Sequence, residues 1–344
     1  MQAIPGARFW VGSSYSGGLN EESPRFETEI ASFCLDRTEV TVAAYSQCVR
    51  RDACRPAHND RRFCNLRWEG RERHPINCVD WHQALAYCKA QGARLPTEFE
   101  WEYAARGGTE YRKYSWGDAP PDGHTCWKHP GGSCEVGSYE PGAFGLQDMT
   151  GNVWEWTASW FGEYPWPPLQ GRHRVYRGGS WSRRFEKWMR PQLRNRYAPD
   201  KWGSHLGFRC ALTLPGTSCP FGTDPEGGCR HGVTKVDCRS GLQWNGLRCA
   251  KRGAAPCLPG RHVEAGHGCV RDVEVKGRAA PEDLSQVTRT RTPSFDGDCE
   301  LHYPGRPHAY RYSGGTHNAR NVVSGNVGCS NRDVGVGWNS CCCP

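Results

Sequence analysis

The spacing of polar and apolar positions in the first third of the chain predicts helices, and the clearest begins at Thr97. Glu100 follows three residues later, so the two form a capping box, in which each side chain accepts a hydrogen bond from the other residue's backbone amide. Good helix formers continue from there until Gly107, where a glycine ends the pattern. We therefore expect a helix that starts after Thr97 and stops before Gly107.

Two further helices are predicted upstream by the same kind of signal. Asp80 and Gln83 form a second capping box, and the helix that they open is expected to end near Gly92. Thr41 is placed to cap a third helix, which should run towards Cys48.

Between Gly107 and Gly207 the pattern changes, because no apolar repeat lasts long enough for a helix of ordinary length. Gly, Pro, Trp and Tyr alternate with short polar segments, which predicts irregular loops and short strands. Trp154 and Trp156 are expected to place one ring in the core and the other at the surface, where it could line a ligand groove.

Three cysteine-containing units follow Leu214, and each opens with the pattern Cys-x-x-Gly. They run from Cys219 to Cys229, from Cys238 to Cys249 and from Cys257 to Cys269. Since each unit has too little apolar surface to fold unaided, we interpret them as a row of disulfide-closed loops. Zinc binding is the alternative, although the units lack the closely spaced Cys-x-x-Cys of zinc sites.

These shifts in composition divide the chain into four segments. Residues 1–214 form the predicted main domain, 215–270 the cysteine-rich repeats, 271–294 a charged linker and 295–344 a small Cys- and Gly-rich module. The tail is poor in long aliphatic runs, so we expect disulfides rather than a large core to hold its modules.

The cysteine content indicates the compartment. The chain has 344 residues, of which 20 are cysteine, 15 tryptophan and 3 methionine. So many thiols suit an oxidising environment, which predicts a secreted, periplasmic or cell-surface protein. From Met1 onwards the sequence reads directly as domain sequence, without the basic and apolar regions of a signal peptide. A leader removed by processing and a different compartment both stay open.

The charge pattern and hydropathy exclude two classes of partner. The net charge of +8 is spread along the chain, and no helix-turn-helix, zinc-finger or RNA-binding signature accompanies it, so we expect no nucleic-acid site. No window approaches the roughly 20 consecutive apolar residues that a membrane-spanning helix needs, so we expect no membrane span.

Several ordered motifs carry a family resemblance. They include RLPTEFEWEYAARGG from Arg94, GLQDMTGNVWEW from Gly145, RGGSW from Arg177 and LGFRC from Leu206. Together they resemble the formylglycine-generating enzyme (sulfatase-modifying factor) family over about residues 3 to 213. The resemblance implies an α+β, C-type-lectin-like fold with little regular secondary structure, here followed by small disulfide-rich C-terminal modules.

The resemblance also implies a long-range disulfide between Cys88 and Cys210, whereas the other pairings follow from proximity in the sequence. A bridge that closes so long a loop stabilises a fold by about 4 to 5 kcal/mol in the chain-entropy model. We expect Cys34 to pair with a cysteine of the tail. The predicted local pairs are Cys48 with Cys54, Cys64 with Cys78, and Cys126 with Cys134.

The family's calcium turn corresponds to the segment that contains Asp148 and Glu155. The resemblance implies a site in which these two side chains bind Ca²⁺ together with the backbone carbonyls of Met149, Gly151 and Val153, a set of hard oxygen ligands on a tightly curved loop. The alternative is that Asp148 caps a turn and Glu155 pairs with an arginine. The family's second calcium site would fall around Thr125 and Cys126, where the usual asparagine is missing, and it is not expected here.

The catalytic residues of the family are missing. Its active members oxidise a substrate cysteine with O₂ and Cu(I), held by two cysteines shortly after the Gly-Gly-Ser segment, because soft thiolates suit this ion. The corresponding positions are about Arg183 and Trp188, and no cysteine occurs between Cys134 and Cys210. We therefore expect neither a copper site nor any of the family's catalytic residues.

Cationic and aromatic residues occupy this region instead and form a candidate ligand pocket. It could grip a carboxylate, phosphate, sulfate or sugar, while the alternative is that solvated arginines simply pack over tryptophans. The candidate residues are Trp154, Ser180, Arg183, Arg184, Trp188, Arg190 and Arg194.

A second cluster of potential metal ligands consists of His124, Cys126, His129 and Cys134. These residue types could bind a metal ion, but a disulfide between Cys126 and Cys134 is the simpler interpretation.

Three functions remain after these considerations. The first is a non-oxidase family member that uses its scaffold to recognise an extracellular protein, peptide or glycan. The second is an oxidoreductase or other modifying enzyme of the family that acts on a protein or peptide through a rearranged site. The third is a structural role, in which the tail anchors the protein in an envelope or matrix.

Overall fold

A computed structural model provides the architecture of the protein. All of the described residues belong to one compact unit. They are residues 1–14, 20–238, 241–244, 249–251, 261–264 and 268–271.

The three predicted helices form at the expected places. Thr41 caps α1, while Asp80 and Thr97 open α2 and α3 through complete capping boxes. Gly107 follows α3 with a φ of 72°, which ends the helix in a conformation that glycine adopts without strain. The helices are α1 (Val42–Arg50), α2 (Trp81–Ala90) and α3 (Glu98–Ala105).

Short strands and irregular loops make up most of the rest, as predicted. One sheet has the order β1-β4-β9, from Gln2–Ile4, Phe33–Leu35 and Ala211–Thr213. Another has the order β10-β3-β2, from Lys235–Val236, Phe26–Ile30 and Ala7–Val11. The four-stranded sheet β7-β6-β5-β8 contains Asn195–Tyr197, Arg174–Arg177, Trp154–Trp160 and Leu206–Gly207, and only its β5–β8 pair is parallel.

Short helices and hairpins complete the described structure, which confirms the predicted α+β class. Two hairpins lie in the repeat segment, β11 (Gln243–Trp244) with β12 (Cys249–Ala250) and β13 (Arg261–Glu264) with β14 (Gly268–Arg271). The 3₁₀ helices are Asn20–Glu22, Asn65–Arg67, Gly108–Glu110, Ala143–Gly145 and Glu186–Met189. No helix in the described ranges is long and apolar enough to cross a membrane.

Trp154 and Trp156 are both fully buried, so the prediction that one of them reaches the surface is wrong. Residues two apart on a strand point to the same side of the sheet. Both rings accordingly pack edge-on against Tyr176 of β6, with centroids at 5.2 and 5.6 Å. The pair anchors the core behind the four-stranded sheet.

Helix α3 is buried on all sides, although it carries three glutamates. Each carboxylate meets an arginine: Glu98 meets Arg177 and Arg194, Glu100 meets Arg94, and Glu102 meets Arg106 and Arg177. Burial alone raises the pKa of Glu98, but Arg194 and Arg177 lower it below its ordinary value. These internal ion pairs allow a charged helix to lie in the core.

Disulfides connect the elements where the sequence predicted them. Cys88 and Cys210 join α2 to the start of β9, with Cα atoms 5.6 Å apart. Cys34 is also disulfide-bonded. The predicted loop between Cys257 and Cys269 falls partly outside the described residues. The other confirmed pairs are Cys48–Cys54, Cys64–Cys78, Cys126–Cys134, Cys219–Cys229 and Cys238–Cys249.

The first repeat units pack against the main domain. Strand β10 extends the β2–β3 sheet, where Val236 pairs with Phe26. Glu226 forms an ion pair with Arg174 at 3.0 Å, and a ring nitrogen of His231 lies 3.1 Å from the Thr97 hydroxyl. The start of the repeat segment therefore packs against the main domain near helix α3.

Candidate functional site

The loop that follows β6 carries the positions where the resemblance placed the family's two catalytic cysteines. Arg183 directs its guanidinium towards two tryptophans, with its Cζ 5.4 Å from the ring centroid of Trp154 and 5.7 Å from that of Trp188. Arg183 and Trp188 are half-buried, whereas Trp154 is fully buried. Three of the predicted pocket residues therefore lie together, in cation–π geometry.

A guanidinium and an indole do not bind Cu(I), since neither offers a soft thiolate. Every cysteine whose side chain the structure describes is disulfide-bonded. The described residues therefore do not fit the family's copper centre.

Arg184, the next residue of the same loop, lines an open cavity of about 550 Å³. Lys128 and His129 bring further basic groups to this cavity, and Trp181 contributes an aromatic edge. The lining residues are Lys128, His129, Pro130, Trp181, Ser182 and Arg184.

Arg194 is a structural residue, so its assignment to the pocket is corrected. It is fully enclosed and donates hydrogen bonds to both carboxylate oxygens of Glu98, at 2.8 and 2.9 Å. Arg194 points into the core because the buried carboxylate of Glu98 needs a positive charge beside it.

Two more predicted pocket residues also serve the fold. Arg190 donates to both oxygens of the buried Glu22, at 2.8 and 3.1 Å. Ser180 is fully buried, with its hydroxyl 3.1 Å from that of Ser182. Of the seven predicted pocket residues, Arg183, Trp154 and Trp188 lie together, and Arg184 lines the cavity beside the same loop.

Glu155, predicted to bind calcium, is bound by other side chains. Arg209 donates to both carboxylate oxygens at 2.7 Å, and the Trp101 indole donates to Oε2 at 2.7 Å. Burial tends to lower the pKa of Arg209, but Glu155 raises it above the ordinary value. Glu155 therefore has the arginine pairing that the sequence left open. Whether it also binds calcium stays a prediction.

Asp148 lies on the same turn and accepts a hydrogen bond from the Gly137 amide at 2.6 Å. Its φ of 58° places it in the left-handed region, and burial raises its pKa. Gly151 also has a positive φ, and its amide donates to the Gly178 carbonyl at 2.8 Å, which holds the turn against the loop after β6. Whether Met149, Gly151 and Val153 supply carbonyls to a calcium ion stays a prediction.

The second predicted cluster of metal ligands does not come together as one group. Cys126, Cys134 and His129 bring their potential ligand atoms within 4.8 Å of one another, but the two sulfurs are joined as a disulfide. His124 instead stacks on Trp116, with ring centroids 5.6 Å apart.

Sequence reasoning missed His205, which lies next to the Arg183 position. The Trp154 amide donates to the His205 carbonyl at 2.8 Å, and the charge of Arg183 acts on the imidazole. Desolvation by burial, with smaller contributions from Arg183 and Arg61, lowers the pKa of His205 to about 4. A lone histidine between ordinary loop residues gave no pattern that could have identified it.

Similarity to known proteins covers the main domain. A model of the sulfatase-modifying factor enzyme 1-like domain matches residues 1–214. A formylglycine-generating enzyme of Streptomyces coelicolor is 31% identical over 274 residues, covering 60% of this chain and 87% of that protein. The inactive C-alpha-formylglycine-generating enzyme 2 of Bos taurus is 31% identical over 269 residues, covering 61% of this chain and 87% of that protein.

A solved structure supports the same architecture. PvdO from Pseudomonas aeruginosa superposes with a TM-score of 0.54 at 25% sequence identity, covering 62% of this chain and 93% of that one. The fold predicted from the ordered motifs is therefore confirmed.

Proposed function

Because the chain belongs to the formylglycine-generating enzyme family, we propose that it is a non-oxidase member that recognises an extracellular protein, peptide or glycan. The observation that carries the proposal is the packing of Arg183 against Trp154 and Trp188, where the copper-binding cysteines would lie. A cation held over aromatic rings can bind an anionic or polar ligand, but it cannot carry electrons from a substrate thiol to O₂.

Three further observations support this proposal. The cavity lined by Lys128, Trp181 and Arg184 offers additional basic and aromatic surface beside the same loop. A bovine relative of similar identity is described by its name as inactive, so the family includes members without the oxidase reaction. The dense disulfides of the described domain support a secreted, periplasmic or cell-surface location.

One observation favours an enzyme as the second candidate function. Cys126, His129 and Cys134 are close enough for a metal site, and His129 lines the cavity. An oxidoreductase or other modifying enzyme acting on a protein or peptide could use them if the disulfide were open. A thiol count by mass spectrometry under non-reducing conditions separates the candidates, because closed disulfides leave no thiolates for a metal.

The direct test of the proposal is an oxidase assay. The purified protein would be titrated with Cu(I) and incubated under air with a Cys-x-Pro-x-Arg peptide, with the Streptomyces coelicolor enzyme as positive control. We expect no stoichiometric copper binding and no aldehyde product. Aldehyde formation above the copper-only background would overturn the non-oxidase assignment.

The recognition part of the proposal needs a binding measurement. We would screen glycan and peptide arrays with the wild-type protein, with Arg183→Ala and with Arg172→Ala, an exposed arginine outside the site. A ligand whose binding is lost in Arg183→Ala and retained in Arg172→Ala supports recognition at this site. Equal binding by both variants would place any recognition elsewhere.

A further inference from the structure

Three side chains around the Arg183 position each leave a buried nitrogen without a hydrogen-bond partner. These nitrogens are Trp154 Nε1, Arg183 Nε and His205 Nε2. Buried polar groups in folded proteins are nearly always satisfied, so several unsatisfied nitrogens in one place indicate a missing partner. Trp154 is the most informative of the three, because it is fully buried and its indole nitrogen can only donate.

The three residues are direct neighbours although they come from different parts of the chain. The Trp154 amide donates to the His205 carbonyl at 2.8 Å, and the guanidinium carbon of Arg183 lies 5.4 Å from the centre of the Trp154 ring. Arg183 also lies close enough to His205 for its charge to lower the pKa of the imidazole. Strand β5, the loop after β6 and the loop before β8 thus each bring one of these residues to the same region.

The electrostatics of this region favour an anion. Arg183 makes no ion pair with a carboxylate of the described ranges, unlike the neighbouring Arg190 and Arg194. Arg61 adds a second positive charge, since it also acts on His205 while its guanidinium lies 4.2 Å above the Trp202 ring. With its pKa lowered to about 4, His205 is neutral at pH 7 and one of its ring nitrogens carries a proton.

We propose that this position binds a sulfate or phosphate group, whose oxygens accept hydrogen bonds from Trp154 Nε1, Arg183 Nε and His205 Nε2. The inference rests on the proposed function, because it names the ligand chemistry of the same recognition site. A tetrahedral oxyanion suits donors that arrive from three separate segments better than a carboxylate, which has only two oxygens. Arg183 and His205 are both partly exposed, so the organic part of an ester can extend towards solvent.

The test is a titration of the purified full chain with inorganic sulfate and inorganic phosphate at constant ionic strength, followed by tryptophan fluorescence and calorimetry. We expect saturable binding of one equivalent. Arg183→Ala should weaken it about tenfold or more, because a charge-assisted hydrogen bond is lost. Arg183→Lys keeps the charge but lacks the Nε donor, so it should recover only part of the affinity. Arg172→Ala, outside the site, should bind like the wild type.

Trp154→Phe is the most specific variant, because it removes the Nε1 donor while keeping an aromatic ring in the core. It should weaken anion binding severalfold and leave the circular dichroism spectrum unchanged. If it fails to fold, the comparison of Arg183→Ala with Arg183→Lys still decides the proposal. Wild-type binding that matches chloride at equal ionic strength, or equal affinity in Arg183→Ala, would show that water alone satisfies these nitrogens and would overturn the proposal.

Phenyl sulfate and phenyl phosphate distinguish an ester from a free ion. Tighter binding of the esters than of the inorganic ions supports an oxyanion presented on a larger molecule, whereas tighter binding of the inorganic ions assigns the site to free anions. The outcome is separable from that of the oxidase assay: aldehyde formation refutes the proposed function whatever the anion data show, while absent anion binding refutes only the ligand class.

Discussion

Arg209 donates hydrogen bonds to both carboxylate oxygens of Glu155, at 2.7 Å each, in the fully buried centre of the domain. Its guanidinium also donates to the backbone carbonyl of Gln147 at 2.9 Å, which ties the last part of the chain to the turn around Asp148. The positive charge that balances Glu155 therefore comes from the chain itself.

Thermal stability tests whether the turn around Asp148 also binds calcium. Burial and the charge of a neighbouring carboxylate raise the pKa of both Glu39 and Asp148, and a bound cation would offset this repulsion. We therefore expect the melting temperature to be several degrees higher in millimolar Ca²⁺ than in EGTA. Differential scanning fluorimetry provides the measurement. The rise should disappear in Asp148→Asn, and an unchanged melting temperature in the wild type would contradict the calcium prediction for this turn.

The local structure of the helices could be predicted because its causes are local. Thr97 and Glu100, like Asp80 and Gln83, satisfy each other's backbone amides, and this reciprocal arrangement is visible in the sequence spacing alone. Cys126 and Cys134 lie close in the chain, so their disulfide was also accessible to reasoning from separation.

The roles of the arginines could not be predicted, because they depend on long-range partners. Arg183 and Arg194 occur in one loop region with similar surroundings in sequence, yet Arg194 turns inwards to Glu98, which is distant in the chain. Only the folded arrangement shows that α3 brings three glutamates into the core, and that these glutamates form ion pairs with the nearby guanidinium groups. Composition alone could not separate Arg183 from the structural arginine Arg194.

Replacing Arg194 should therefore damage the fold rather than ligand binding alone. Arg194→Ala leaves the buried Glu98 with one of its two cations missing, and we expect the free energy of unfolding to fall by about 3 to 5 kcal/mol. Arg184→Ala, at an exposed position, should change it by less than about 0.5 kcal/mol. Urea denaturation of the two variants makes the comparison. Similar effects of the two substitutions would contradict the division between structural and surface arginines.

Glu39 is expected to reduce stability at neutral pH. Burial, followed by the charge of Asp148, raises its pKa well above the ordinary value. The unfolded chain therefore releases this proton at lower pH than the folded one, so stability falls as the pH rises above the unfolded-state pKa of about 4.3. Each unit of difference between the two pKa values costs up to about 1.4 kcal/mol.

Glu39→Gln removes this titration and keeps a side chain of similar shape. The variant should be more stable than the wild type at pH 7, and the difference should shrink towards pH 4. Urea denaturation at several pH values measures it. A variant that is less stable than the wild type at pH 7 would show that the charged form of Glu39 contributes favourably.

Restoring the two missing thiols tests whether the loop after β6 still has the geometry of a copper site. We expect the double variant Arg183→Cys/Trp188→Cys to bind one equivalent of Cu(I) in competition with a chromophoric chelator, because two nearby thiolates suit this ion. The wild type and each single variant should not bind it stoichiometrically.

Arg184→Cys/Lys187→Cys is the matched control, with the same number of thiols at exposed neighbouring positions. A mass-spectrometric thiol count must confirm that the new cysteines stay free. If both double variants bind copper equally, Arg183 and Trp188 do not mark the family's catalytic positions, and the alignment that supports the proposed function fails.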